Sequence, residues 1–161
     1  MSKIKKLLND NSCIIVFDID GVLAVAEWGE HTHFALNDED WTKACEKGIN
    51  YYTEDKVSPK MQEFIKQKDN NKIFVITTAG CINEGELKKE FANKYYGILK
   101  ENVYYVKNDK DKTEKLLDIK RKFPKLKDEK IIMVDDTMSI LNDVMEKTNF
   151  STAHISSFLD I

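Results

Sequence analysis

Short apolar runs, separated by stretches in which apolar residues recur every three or four positions, set the plan of this chain. Residues 13–17, 73–76, 103–106 and 131–134 are such runs, rich in β-branched and aromatic side chains, the second expected as a strand over about 73–77. That is the pattern of strands covered on both faces. Residues 152–155 add a more polar run, expected as a fifth strand at a sheet edge. The intervening segments read as helices. Ile4, Leu7 and Leu8 share one side of a short helix over 2–9. Asp38 is expected to cap a helix carrying Trp41, Ala44 and Cys45, stopped by Gly48. Ser58-Pro59 opens a helix striped by Met61, Phe64 and Ile65. Asn83 with Glu86, and Asp111 with Glu114, have the spacing of capping boxes. The first would start a helix with Leu87, Phe91 and Tyr95. The second would start one with Leu116, Leu117 and Phe123, ended by Pro124. A last helix is expected to bury Leu141, Val144 and Met145.

Strands alternating with amphipathic helices predict one domain over 1–161, a three-layer α/β/α, Rossmann-like parallel sheet. Right-handed crossovers would bring every strand's carboxyl end to one edge, where open α/β sheets bind ligands. The residues waiting there are polar. The first run ends in Asp18-Ile19-Asp20-Gly21, the second in Thr77-Thr78-Ala79-Gly80, and the fourth in Asp135-Asp136-Thr137. Asp-Gly after a strand is, alone, a common turn signal. Three apolar runs that each stop at a group able to bind phosphate or metal favour a site instead. Two carboxylates at i, i+2 can meet at one point, one to attack or hold a metal and the other to move a proton.

Composition changes this picture little. With 161 residues, 42% hydrophobic, 33% charged and a net charge of −3, the chain has the make-up of a globular protein rather than a nucleic-acid or membrane-surface binder. The charge is uneven: residues 18–55 hold ten acidic side chains and two lysines, and residues 107–130 hold ten basic and six acidic. Cys13, Cys45 and Cys81 are an odd number without CxxC spacing, which fits a reducing cytoplasm and argues against a zinc site. No run approaches a membrane span, and the basic N-terminus lacks a leader's apolar core.

Residues 24–57 break the regular pattern and read as an insert after the first strand. Trp28, His31, His33 and Phe34 alternate with polar residues, as in a short hairpin. His31 and His33 would point the same way, which allows a metal site, but no carboxylate or cysteine partner is evident. An exposed hairpin or a substrate contact is the better reading, with Trp28 the stronger contact candidate.

Phe17-Asp18-Ile19-Asp20-Gly21-Val22-Leu23 resembles the first motif of the haloacid dehalogenase superfamily of phosphatases. Thr77 after its apolar run resembles the second motif, and Asp135-Asp136 the fourth in its DD form. A lysine near the helix after the third strand resembles the third motif. Lys107, Lys110, Lys112 and Lys115 are all close; Lys112, just after Asp111, would stand in the first helical turn. The resemblance covers nearly the whole chain except 24–57. It implies a strand order of 5-4-1-2-3 with a small or absent cap, and a Mg²⁺-dependent phosphomonoesterase acting through an aspartyl-phosphate. Asp18 would be the nucleophile and Asp20 the acid and base. Asp18, Asp20 through its carbonyl, and Asp135 would hold Mg²⁺, with Asp136 beside them. Thr77, with Thr78 as alternative, and Lys112 would bind phosphate. A nucleotide or other small phosphorylated substrate is expected. A nucleic-acid end phosphate is allowed by the basic 107–130 stretch but not indicated by the net charge. A phosphotransferase, or a phospho-acceptor that does not turn over, is the alternative.

Overall fold

The structure, a computed structural model, describes residues 2–25, 37–53 and 56–159. Trp28, His31 and His33, and with them the expected hairpin, lie outside the described residues.

Five strands form one parallel sheet: β1 Ile14–Phe17, β4 Ile73–Thr78, β5 Val103–Val106, β6 Ile131–Asp135 and β7 Ser151–His154. Their spatial order is β5-β4-β1-β6-β7. Counted within this sheet alone that is 5-4-1-2-3 read from the opposite edge, the expected α/β arrangement. β2 Ala24–Val25 and β3 Lys56–Val57 form a separate antiparallel pair at the two ends of the insert.

The continuous apolar runs of the central strands follow from burial on both sides. Ile15, Phe17, Ile73, Val75, Ile132 and Val134 pack into one core. The neighbouring residues Ile14, Val16, Phe74, Ile76, Ile131 and Met133 pack into another. The first core is closed by α1 Lys3–Asn9, α3 Pro59–Lys66 and α4 Ile82–Tyr96 through Leu8, Phe64, Ile65, Phe91 and Ala92. The second is closed by α5 Lys112–Lys122 and α6 Met138–Lys147 through Leu116, Ile119, Leu141 and Val144. The helices thus lie on both faces, as period-2 alternation along buried strands requires.

Four local expectations are corrected. Asn37, not Asp38, caps α2 Asp38–Glu46, its side chain accepting from the Asp40 amide at 2.9 Å. Cys81 caps α4, so Asn83 lies inside that helix and Glu84, not Glu86, is the acidic residue of its first turn. Asp111 does not cap α5: a 3-10 turn, Asp109–Asp111, runs straight into the helix, so the backbone before Lys112 is already helical. Met145 is 50% exposed rather than buried, because the stripe of α6 ends at Ile140, Leu141 and Val144.

Candidate active site

The register of the sheet decides which side chains meet. Phe17 of β1 pairs with Val75 on one side and Val134 on the other. The next residue, Asp18, therefore leaves the sheet between Ile76 and Asp135, one residue before Thr77 on β4, and its amide donates to the Val134 carbonyl at 3.0 Å. Gly21 follows with φ +74°, and a Cβ there would lie 2.1 Å from Asp136 Oδ2. Only glycine serves both the left-handed turn and this close approach.

Asp18, Asp135 and Asp136 each bring a carboxylate oxygen within 4.8 Å of the others. Asp18 and Asp135 are buried, whereas Asp136 is exposed. Lys112, 2% exposed in the first turn of α5, reaches across to both, with Nζ 3.0 Å from Asp18 Oδ2 and 3.0 Å from Asp135 Oδ2. Thr137's amide donates to Asp135 Oδ1 at 2.9 Å. Burial pushes the Asp18 carboxyl up to about 6, Lys112 opposes that shift, and Asp135 adds to it. Asp135 is likewise raised by burial against the pull of Lys112. Burial works against the charge on Lys112, but Asp18 and Asp135 outweigh it and hold its pKa above the ordinary lysine value.

Two buried side-chain atoms among the described residues lack a hydrogen-bond partner: Asp18 Oδ1 and Thr77 Oγ1. Thr78 differs, since its hydroxyl donates to Asp109 and lies on the opposite side of the strand. Of the other lysines, Lys115 pairs with Asp118 at 3.0 Å, Lys110 is exposed in the 3-10 turn, and Lys107 lines a neighbouring cleft. The oxygen set of Asp18, Asp135 and Asp136 suits a hard divalent cation, which prefers carboxylate ligands and keeps several waters.

Asp20 sits beside this centre in different company. Its Oδ2 is 2.7 Å from Lys88 Nζ, and its Oδ1 accepts from the Tyr52 hydroxyl at 3.1 Å. Lys88 is 2% exposed and also meets Glu84 Oε1 at 2.9 Å and donates to the Thr78 carbonyl. Glu84, one turn earlier on α4, accepts from Trp41 Nε1 at 3.0 Å and from the Gly80 amide at 2.8 Å. An open cleft of about 420 Å³ runs from Asp20 past Trp41, Thr42, Lys107 and Asp109. Lys88, Glu84 and Tyr52 were not singled out from the sequence. The one available signal was the i, i+4 spacing of Glu84 and Lys88 within a helix, which usually marks a solvated surface pair.

No family model matches the chain, and no curated protein matches it. Solved structures do. A haloacid dehalogenase-like family hydrolase, SP0104 of Streptococcus pneumoniae, superposes with a TM-score of 0.52 at 13% identity, covering 91% of this chain and 96% of that one. The structure of DsGPDH of Dunaliella salina gives a TM-score of 0.57 at 18% identity over 94% of this chain. This chain spans 25% of the length of DsGPDH. At such identities the likeness is one of fold, and the fold is that of haloacid dehalogenase-like proteins.

Proposed function

We propose that the chain is a Mg²⁺-dependent phosphomonoester hydrolase that works through a phosphorylated Asp18. The observation that carries this reading is the pair of buried, unpartnered oxygens, Asp18 Oδ1 and Thr77 Oγ1, at the edge where Lys112 meets two carboxylates. A buried polar atom left without a partner costs about 1–3 kcal/mol. Two of them on adjacent strands at the ligand-binding edge support a site kept for an incoming group.

Asp18, Asp135 and Asp136 would hold the cation, with the Asp20 carbonyl completing the oxygen set. When bound, Mg²⁺ supplies positive charge against the phosphoryl oxygens. The remaining work falls to the chain's own residues. Lys112 holds one Asp18 oxygen in place and leaves the other, Oδ1, to attack phosphorus. As the new P–O bond forms, the ester bond breaks, and Asp20 gives its proton to the departing alcohol. Asp20 then takes a proton from the water that attacks the Asp18-phosphate, which releases inorganic phosphate and restores the carboxylate. The Thr77 hydroxyl donates to a phosphoryl oxygen, a role that suits it better than Thr78, whose hydroxyl is engaged by Asp109. Such positioned charge supplies most of the rate enhancement in phosphoryl transfer.

The leaving group would occupy the cleft beside Asp20. Its rim carries Asp38 and Asp109 with Lys107 as the cation not paired among the described residues. A small phosphorylated metabolite or a mononucleotide fits that rim better than a nucleic-acid end, whose neighbouring phosphates would face the carboxylates. Asp20 beside the site also favours turnover over a phospho-acceptor, which has no use for a second acid. The insert residues Trp28, His31 and His33 are retained as substrate-contact candidates, and the free cysteines fit a reducing cytoplasm.

Release of p-nitrophenol from p-nitrophenyl phosphate, with and without Mg²⁺, tests the reading. Metal-dependent turnover in the native chain and its loss in Asp18→Asn are expected. Turnover that survives the substitution, or that ignores the metal, would overturn it.

A further inference from the structure

A carboxylate that shuttles a proton must present one oxygen edge to substrate, yet Asp20, between the buried Ile19 and Val22, has a side chain 46% open to solvent. Left to itself, such a short side chain samples several rotamers. Here it does not stand alone. Lys88 Nζ lies 2.7 Å from Oδ2, and the Tyr52 hydroxyl donates to Oδ1 at 3.1 Å. The two donors come from different parts of the chain, Lys88 from the middle of α4 and Tyr52 from the 3-10 turn Tyr51–Thr53 of the insert. Each is fixed in turn. Lys88 is sealed against solvent and paired with buried Glu84 at 2.9 Å. Tyr52 is 2% exposed, with its ring 5.8 Å from Phe91 and 6.0 Å from Trp41. A carboxylate has about four lone-pair sites. Two are taken, and those facing the cleft stay available.

Burying a lysine against two carboxylates is costly unless close geometry and further hydrogen bonds offset the lost hydration. A surface lysine would neutralise Asp20 as well. What burial adds is a fixed position, since a clamped donor holds its partner to within a few tenths of an ångström.

We propose that Lys88 and Tyr52 are positioning residues for Asp20, clamping both of its oxygens so that its free edge meets the oxygen of the departing alcohol in the cleft. This rests on the phosphatase reading given above. Glu84 holds Lys88 in place and, through its bond to Trp41, ties α4 to α2 of the insert. The insert therefore acts on the chemistry through Asp20 and not only by covering the substrate. The step concerned is one proton transfer: as the ester P–O bond breaks, the proton on Asp20 passes to the alkoxide oxygen, leaving Asp20 as the carboxylate.

Leaving groups differ in how much they need that proton. p-Nitrophenolate is a weak base and departs without much help, whereas a glycerol alkoxide is a strong base and requires it. The experiment is a rapid-quench, single-turnover measurement of alcohol release with enzyme in excess and Mg²⁺ present, on p-nitrophenyl phosphate and on glycerol phosphate. Lys88→Met is expected to slow release from glycerol phosphate by about tenfold to a hundredfold. Release of p-nitrophenol should fall less than about threefold, since that bond breaks with little acid assistance. Tyr52→Phe removes one hydroxyl from a packed ring and should show the same selectivity in smaller degree, so it reads the proposal if Lys88→Met does not fold. Equal loss on both substrates, or none, would overturn it and assign the cluster to structure alone. A native chain that never phosphorylates Asp18 from either substrate would instead overturn the underlying reading, and the clamp with it.

Discussion

Two buried lysines stand at the carboxyl edge of this sheet, Lys88 on a helix of one face and Lys112 on a helix of the other, and their surroundings differ in one respect. Lys112 bridges Asp18 and Asp135 and leaves an Asp18 oxygen without a partner. Lys88 bridges Asp20 and Glu84, and the carboxylate oxygens around it are taken by Tyr52, Trp41 and the Gly80 amide. The first cluster is incomplete and the second is closed. Incomplete polar clusters are destabilising in isolation and persist where a ligand finishes them. Closed ones hold their members still. On the proposed reading, the same residue types serve reaction in one place and alignment in the other.

The largest effect that separates them should be on activity. Asp18→Asn is expected to lower the turnover of p-nitrophenyl phosphate by about 10⁴-fold or more, as loss of a nucleophile does. A comparable loss in Glu84→Gln, which touches only the closed cluster, would erase the distinction. Stability sharpens it next. Removing one partner of a buried ion pair costs about 3–5 kcal/mol, so Lys112→Met and Lys88→Met should both lower the denaturant midpoint. Adding Mg²⁺ should recover much of the loss in Lys112→Met, where a second cation can take up the carboxylate charge, and little in Lys88→Met. Thermal melts then follow binding in the native chain. At a hundredfold excess over Kd, a ligand of the folded state adds about 2.7 kcal/mol. The resulting rise in Tm should persist in Lys88→Met and vanish in Asp135→Asn.

The smallest effect is on pH dependence. Burial raises the folded-state pKa of Asp18 to about 6, above its ordinary value of 3.8. The folded chain then holds that proton more tightly than the unfolded chain does. Its contribution is fully present below the ordinary carboxylate range and is lost as pH rises towards 6. Without metal, the native chain should lose stability relative to Asp18→Asn between about pH 4 and 6, and Mg²⁺ should flatten that difference. Denaturant midpoints for both proteins across this range measure it; a difference of opposite sign would contradict the cause given for the shift.

The sheet was legible because its signal is written twice. Residues 73–76 and 131–134 are apolar on both alternating positions, and the segments between them repeat at helical spacing, so the fold class follows, whereas the strand order was implied only by the family resemblance. Asp18, Asp20, Thr77 and Asp135 were legible as residues of one sheet edge for the same reason, since each ends or follows an apolar run; Lys112 was singled out through the family resemblance. The caps were less so. Asn37 and Cys81 cap their helices one or two residues before the positions the spacing indicated, because several polar residues in a row satisfy the same rule. Lys88 was legible only as one half of an ordinary i, i+4 helical pair, not as a buried residue. It occupies an ordinary mid-helix position, and only the approach of the loop after β1 and of the insert turns it from a surface charge into a buried one.

The central claim is that Asp18 carries phosphate during turnover, in a centre built with Asp135, Asp136 and Lys112. Acid quenching of the native chain during steady turnover of p-nitrophenyl phosphate with Mg²⁺, followed by peptide mass spectrometry, tests it most directly. The account predicts a phosphorylated peptide containing residue 18, dependent on Mg²⁺ and absent in Asp18→Asn. Phosphate on any other residue, or full turnover with no covalent species and an unaffected Asp18→Asn variant, would contradict it.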